Sequence, residues 1–370
     1  MMGKTFLLAS TALGAALTAW PVAAQQQPTL EDRVKTLEQK VGDTTVSGRM
    51  YWDISHIDNK RDGVAQSSNG WGFDAKRFYI SVDHRFNDMF SADVTTDFNY
   101  VSADGETQLF IKKAYLQANL DSALVLRIGS ADLPWIPFNE GLYGYRYLEN
   151  VIEERVGFGT SADWGLHALG NLGGGLFSYQ LSVLNGAGYK KLTRSKGVDV
   201  EARVNINYIG FTAGLGGRTG HLGQDVQKVT TFHDANRFDA IVSYAGMGAR
   251  VGVQYMQTNN WNTVTTPSSD SSDGYSVWGS YYFTPQWAVF GRYDWVKPSR
   301  DLQPDLRDNY FNVGITYTPA RIVDFSLAYK HEKVEHGFWS TTNGTIGGLV
   351  SGPGHNGTYD EVGIWGDFQW

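Results

Sequence analysis

The 370-residue chain has no cysteine, so neither disulfides nor thiolate–metal bonds hold its fold. Proline is scarce, at 10 residues, which leaves long stretches free to keep up backbone pairing. Beyond the N-terminal segment no run approaches the roughly 18 uncharged apolar residues of a membrane-spanning helix, and mean hydropathy is −0.32. A basic surface is missing as well: 31 Lys and Arg stand against 38 Asp and Glu, a formal net charge of −7. That balance argues against nucleic acid as a partner, because phosphate backbones demand concentrated positive charge. Catalytic signatures are absent too. There is no Gly-x-Ser-x-Gly elbow and no His-Glu-x-x-His pair, while His167, His233 and His336 have no triad spacing and read as loop or girdle residues. The chain is therefore expected to be no enzyme and to carry no cofactor or metal.

What the chain has in quantity is aromatic residues and glycine: 12 Trp, 20 Tyr and 19 Phe beside 43 Gly. Their scatter among polar residues suits barrel walls with aromatic girdles at both membrane interfaces. Strict alternation supports this. Val198, Val200, Ala202, Val204, Ile206 and Tyr208 alternate with Asp199, Glu201, Arg203, Asn205 and Asn207, giving one apolar and one polar face. Such runs reach the 9 to 11 or so residues that a tilted strand needs to cross a bilayer. At the end of the chain Val362, Ile364, Phe368 and Trp370 repeat the period. An unpaired edge of that kind invites aggregation in water, so the stripe predicts lipid outside and a paired neighbour. Asp360 and Asp367 do not share a face in a simple strand, which predicts a bulge near Gly366.

Upstream, Lys4 precedes an apolar stretch from Phe6 to Trp20, and small residues at Val22 and Ala24 predict a signal peptide, 1–24, cleaved after Ala24. Residues 25–42 read as a short coiled-coil or trimerisation helix: Leu30, Val34, Leu37 and Val41 form an a/d seam among charged residues. Residues 46–370 read as the barrel.

Connections set the strand count. Short turns recur at Arg85 to Asp88, Asp121 to Ser122, Asn171 to Gly175, Ile209 to Gly210, Gly246, Thr284 to Gln286 and Pro319 to Ala320. Eight longer loops alternate with these seven turns, which predicts sixteen strands, an even number as closure requires. The fold expected is all-β: a 16-stranded antiparallel transmembrane barrel in the outer membrane of a Gram-negative bacterium, with a short periplasmic coiled-coil helix before it. A barrel of this size leaves an aqueous lumen. The third long loop, 130–160, has the apolar residues to pack against a wall and is expected to fold inward and narrow that lumen, with a short helix between Glu149 and Arg155. Its charges, Asp132, Glu140, Arg146, Glu149, Glu153, Glu154 and Arg155, are candidates to set the field at the constriction.

Lys113-Ala114-Tyr115-Leu116, Leu126-Arg127-Ile128-Gly129, the stretch Pro134 to Glu140, and Glu154-Arg155 together resemble the phosphate-selective porins of the O and P type, as does the heptad. The resemblance implies a homotrimeric channel with one pore per subunit and phosphate or another anion as solute. Read from the strands themselves, the polar face places Arg49, Arg77, Arg127, Arg203, Arg218, Arg250, Arg292 and Lys330 in the lumen beside Asp53, Asp83, Asp93, Asp97, Asp199, Glu201 and Asp294. That lining is mixed rather than a basic ladder. Passive diffusion of small hydrophilic solutes and ions is the expectation, with lipid as the outer partner; the alternative is a barrel enzyme or adhesin with a plugged lumen.

Overall fold

The structure, a computed structural model, describes residues 42–101 and 106–370 together with Leu30, Glu31 and Val34. The expected signal peptide and most of the heptad lie outside the described residues; Leu30, Glu31, Val34 and Gly42 are described, and they are helical. Asp43–Trp370 forms one compact unit.

Sixteen antiparallel strands build it: β1 Thr44–Arg61, β2 Gly70–Arg85, β3 Phe90–Val101, β4 Glu106–Asp121, β5 Leu124–Asp132, β6 Ala162–Leu172, β7 Phe177–Leu184, β8 Asp199–Tyr208, β9 Phe211–Gly220, β10 Ala235–Gly246, β11 Ala249–Asn259, β12 Ser271–Tyr282, β13 Trp287–Lys297, β14 Arg307–Ala320, β15 Val323–Glu335 and β16 Gly357–Gln369. A two-residue piece, Val64–Ala65, joins the sheet beside β1. Each strand pairs with its sequence neighbours, and β1 also pairs with β16 from Arg49 opposite Gln369 to Arg61 opposite Gly357, so the sheet closes and has no free edge.

Period-two alternation decides which side faces in. Along β10, Ile241 and Ser243 are 2% and 5% exposed, whereas Val242 between them is 60% exposed. Val204, Val253, Val313 and Leu327 likewise stand outward, an apolar belt that suits lipid. At the seam, Trp370 lies over Gly48, where no Cβ could fit, and packs against Phe78 and Phe368.

Three local expectations need correction. The pairing of β16 runs without a shift against both neighbours, so there is no bulge near Gly366; Asp367 points inward and Asp360 outward, where it meets His331. Pro319 lies within the end of β14, where the register shifts between Tyr317 and Ala320, and the turn itself is Arg321-Ile322. His167 belongs to neither a loop nor a girdle: it is buried in β6 with Nδ1 2.9 Å from Ser182 Oγ.

Two bulges in the β1–β4 region matter for the lumen. Tyr51 opposes Arg77 while Trp52 opposes Ala75, leaving Lys76 as an extra residue. Thr95 opposes Lys113 while Thr96 opposes Ile111, leaving Lys112 extra. Such an insertion breaks strict alternation and re-aims a side chain.

Candidate functional site

Residues 133–161, between β5 and β6, turn into the barrel and supply most of its interior packing. Pro137 in the first turn and Gly144, left-handed at φ 81°, bound the helix α1 Ile136–Tyr143. The helix expected between Glu149 and Arg155 is a single turn, α2 Ile152–Arg155. Trp135, Ile136, Tyr143, Tyr145, Tyr147, Leu148 and Val151 pack on Tyr51, Ile241, Trp278, Phe290, Ala328 and Trp365 of the wall. Further along, Ile152, Val156 and Phe158 pack on Ala235, Met256 and Val296. Gly216 of β9 makes room for the Trp135 ring, since a Cβ there would strike it.

Charges brace the same contact. Arg155 is fully buried and donates to Asp294, Asp308 and Glu332 at 2.9, 2.9 and 2.8 Å. Glu153, also fully buried, accepts from the Trp135 indole and the Asn139 amide. Burial, reinforced by Asp239, pushes its carboxyl up to about 8. Burial opposes the charge of Glu149 too, but Lys330 and Lys76 outweigh it and hold that carboxyl down at about 2; Thr342 donates to it at 2.8 Å. Arg292 donates to Asn150 O at 2.6 Å and Arg203 to Pro134 O at 2.7 Å. Glu149, Glu153 and Arg155, three of the seven loop charges singled out from sequence, therefore lie in the seat between loop and wall.

The other four face elsewhere. Arg146 pairs with Glu140 at 2.5 Å and with Glu154 at 3.0 Å. Burial opposes the charge of Glu154, yet Arg146, Arg77 and Lys112 hold its carboxyl below the usual range. Asp132 lies 3.5 Å from Lys113.

The wall residues singled out from sequence all point inward. Arg49 pairs with Asp367, and Arg77 with Asp97 at 3.0 Å. Glu201 is fully buried beside Arg237 and Arg218, and Arg292 pairs with Asp294 at 2.6 Å. Asp93, 4% exposed, accepts from Thr95. Arg127 donates to Gln117 at 2.7 Å, and Arg250 lies against Gly144. Arg218 pairs with Asp199 at 2.7 Å and Lys330 with Glu361 at 3.0 Å; Asp53 meets Lys76 at 3.5 Å. The cations singled out from sequence omit Lys76, Lys112, Lys113, Lys190 and the buried Arg237. Lys76 and Lys112 are the bulged residues, each beside a second cation, Arg77 or Lys113, and Lys190 comes from the loop after β7. The signal available was the consecutive basic pairs Lys76-Arg77 and Lys112-Lys113 inside otherwise alternating strands.

The result is two unlike walls. From β8 to β15 the inner charges are mostly paired, buried and turned toward the third loop. Between β2 and β5 Lys76, Arg77 and Lys113 meet Asp53, Asp97 and Asp132, but among the described residues no carboxylate lies within ion-pair distance of Lys112 or Arg127, nor of Lys190 from the loop after β7, and this partly unpaired stretch is the open wall. Opposite this wall the loop presents Glu140, Glu154 and Arg146, so charge of both signs faces across the narrowed lumen.

Residues 9–337 match the profile of a family described as Gram-negative porin. Among solved structures, the chain is similar to an anion-selective porin from Comamonas acidovorans, with a TM-score of 0.64 at 13% identity, covering 88% of this chain and 99% of that one. The channel DcaP of Acinetobacter baumannii gives 0.60 at 13%, covering 88% and 97%. OmpT, an outer membrane protein of Vibrio cholerae, gives 0.57 at 13% with the same coverage. At such identities the likeness is one of fold. No curated protein matches the chain in sequence.

Proposed function

This chain belongs to the Gram-negative porin family, an outer-membrane channel by that membership, and from that premise we propose that its lumen passes small hydrophilic solutes by diffusion and favours anions, phosphate among them. The observation that carries this reading is the open wall: among the described residues no carboxylate lies within ion-pair distance of Lys112, Arg127 or Lys190, while the wall acids beside them, Asp93 and Asp97, are 4% and 0% exposed. A cation that no carboxylate closes at ion-pair distance raises the local concentration of passing anions. Arg49, Arg77, Arg127 and Arg250 act as pore-lining residues, and Glu140, Arg146 and Glu154 set the field of the constriction. Arg203, Arg292 and Glu201 hold the loop instead of meeting the solute. Among the described residues no ring of bidentate arginines makes a dedicated phosphate site, so phosphate competes with chloride for the same path.

Planar-bilayer recording of the purified protein tests this. Stepwise openings are expected, with a reversal potential in a salt gradient on the chloride side. Silence at every voltage would restore the plugged-lumen alternative; a cation-side potential would remove the anion preference and leave the channel. The homotrimer belongs to the same proposal, with residues 25–42 joining the subunits after export and removal of 1–24. Crosslinking of mature protein with and without 25–42 should give trimers only in the longer form.

A further inference from the structure

On the open wall each unpaired cation is set against an aromatic ring. The Lys112 ammonium lies 4.6 Å from the centre of the Tyr79 ring, the Arg127 guanidinium 4.8 Å from Tyr115, and the Lys190 ammonium 4.5 Å from Phe110. Strand register puts these rings on the lumen side: Phe110 opposes Asp97, and Tyr115 opposes Asp93. Cation and ring also meet on the bracing wall, as in Arg155 on Tyr310, but there both partners are buried and the guanidinium is closed by carboxylates. On the open wall the rings are half-buried, Lys112 and Arg127 are half-buried too, and Lys190 is exposed. The Tyr79 hydroxyl also accepts from Lys112 at 3.2 Å and its ring packs on Tyr51, and Phe110 packs on Tyr189, but attraction of chloride or phosphate needs the cations alone.

We propose that this track selects aromatic carboxylates, the carboxylate meeting Lys112 or Lys190 while the solute ring lies against Tyr79 or Phe110. The inference rests on the anion-pathway reading above and adds a substrate class to it. The carboxylate gains a charge-assisted contact, and the ring gains an offset or edge contact together with relief from water. Because the cation already polarises the protein ring, one side-chain pair reads both features of the solute at once.

The test compares block of the chloride current by benzoate and by cyclohexanecarboxylate, which have the same charge and nearly the same size, in the purified native protein. Benzoate is expected to block at roughly threefold lower concentration, the factor that a single aromatic contact supplies. The Tyr79→Leu and Phe110→Leu double variant is expected to bring the two acids together, and Phe110→Tyr to keep them apart. Equal block by both acids in the native protein overturns the proposal, as does an undiminished preference in the double variant. Neither result touches the anion pathway, whose own failure would show as a cation-side reversal potential in plain salt.

Discussion

Arginine occurs on both sides of the lumen with different neighbours. Arg155, Arg237 and Arg292 each meet one or more buried carboxylates, and Arg237 and Arg292 also donate to a loop backbone carbonyl, whereas among the described residues Arg127 meets a glutamine and a tyrosine ring and no carboxylate. The first arrangement fixes a chain segment, because every charge is consumed by a neighbour in a low-dielectric contact. The second leaves charge for a solute. Charge count alone therefore tells little about selectivity in this lumen; what matters is which charges the third loop has already closed.

The strongest way to break that contrast is to unseat the loop. Arg155→Ala leaves Asp294, Asp308 and Glu332 buried without their shared partner, and removing one member of such a network costs about 3–5 kcal/mol. The third loop is expected to leave the wall, raising single-channel conductance and exposing residues 133–161 to added protease. Unchanged conductance together with unchanged digestion would show that the apolar contacts of Trp135 and Tyr147 seat the loop unaided.

A smaller effect comes from Glu153, which titrates inside the same seat. Its carboxyl, raised to about 8 by burial and by Asp239, binds a proton in the seated loop at pH values where a released loop would be ionised. Attachment is then strongest below the ordinary glutamate range and weakens as pH rises through 8. Glu149 has the opposite sign: depressed to about 2, it supports the seat above the ordinary range and loses that support on acidification toward 2. Arg237, Gln254, Trp135 and Asn139 also face Glu153, and they remain after Glu153→Gln. That variant is expected to shift loop stability by about 1–3 kcal/mol and to flatten the rise in channel noise between the ordinary glutamate range and about pH 8. A rise that persists in the variant would assign it to another group.

Much of the architecture is legible in the sequence because alternation and turn chemistry are local. Strands such as Asp199–Tyr208 show both faces in one decapeptide, and long loops such as those after Leu184, Gly220 and Asn259 fall where polar residues interrupt the period. The inward fold of the third loop is legible for the same reason, from its crowded aromatics. What escapes is anything set by cross-strand register. The bulges at Lys76 and Lys112 are decided by how two strands pair, so alternation assigns both lysines outward. The uninterrupted pairing at Gly366 is the converse case, a defect inferred from Asp360 that register does not require, since outward Asp360 finds His331. Burial is hidden likewise: nothing in Glu153-Glu154-Arg155 separates Glu154, which meets Arg146 near the lumen, from its neighbours sealed in the wall.

The smallest effects belong to the open wall, because its charges act through water. One unit charge about 8 Å from a passing ion contributes roughly 0.5 kcal/mol at the dielectric of water, and about a Debye length of salt weakens it further. Lys112→Ala is thus expected to lower the anion preference by about twofold at low salt, and Lys190→Ala to do much the same. Both effects should fade as salt rises from about 0.1 to 1 M, where the Debye length falls from about 10 to 3 Å. Arg237→Ala on the bracing wall is the contrasting case. Its charge is closed by Glu201 and Asp239 at 3.1 and 2.7 Å, so its loss should disturb loop seating at every salt concentration. If instead Lys112→Ala were salt-insensitive and Arg237→Ala salt-sensitive, the assignment of open and closed walls would be reversed.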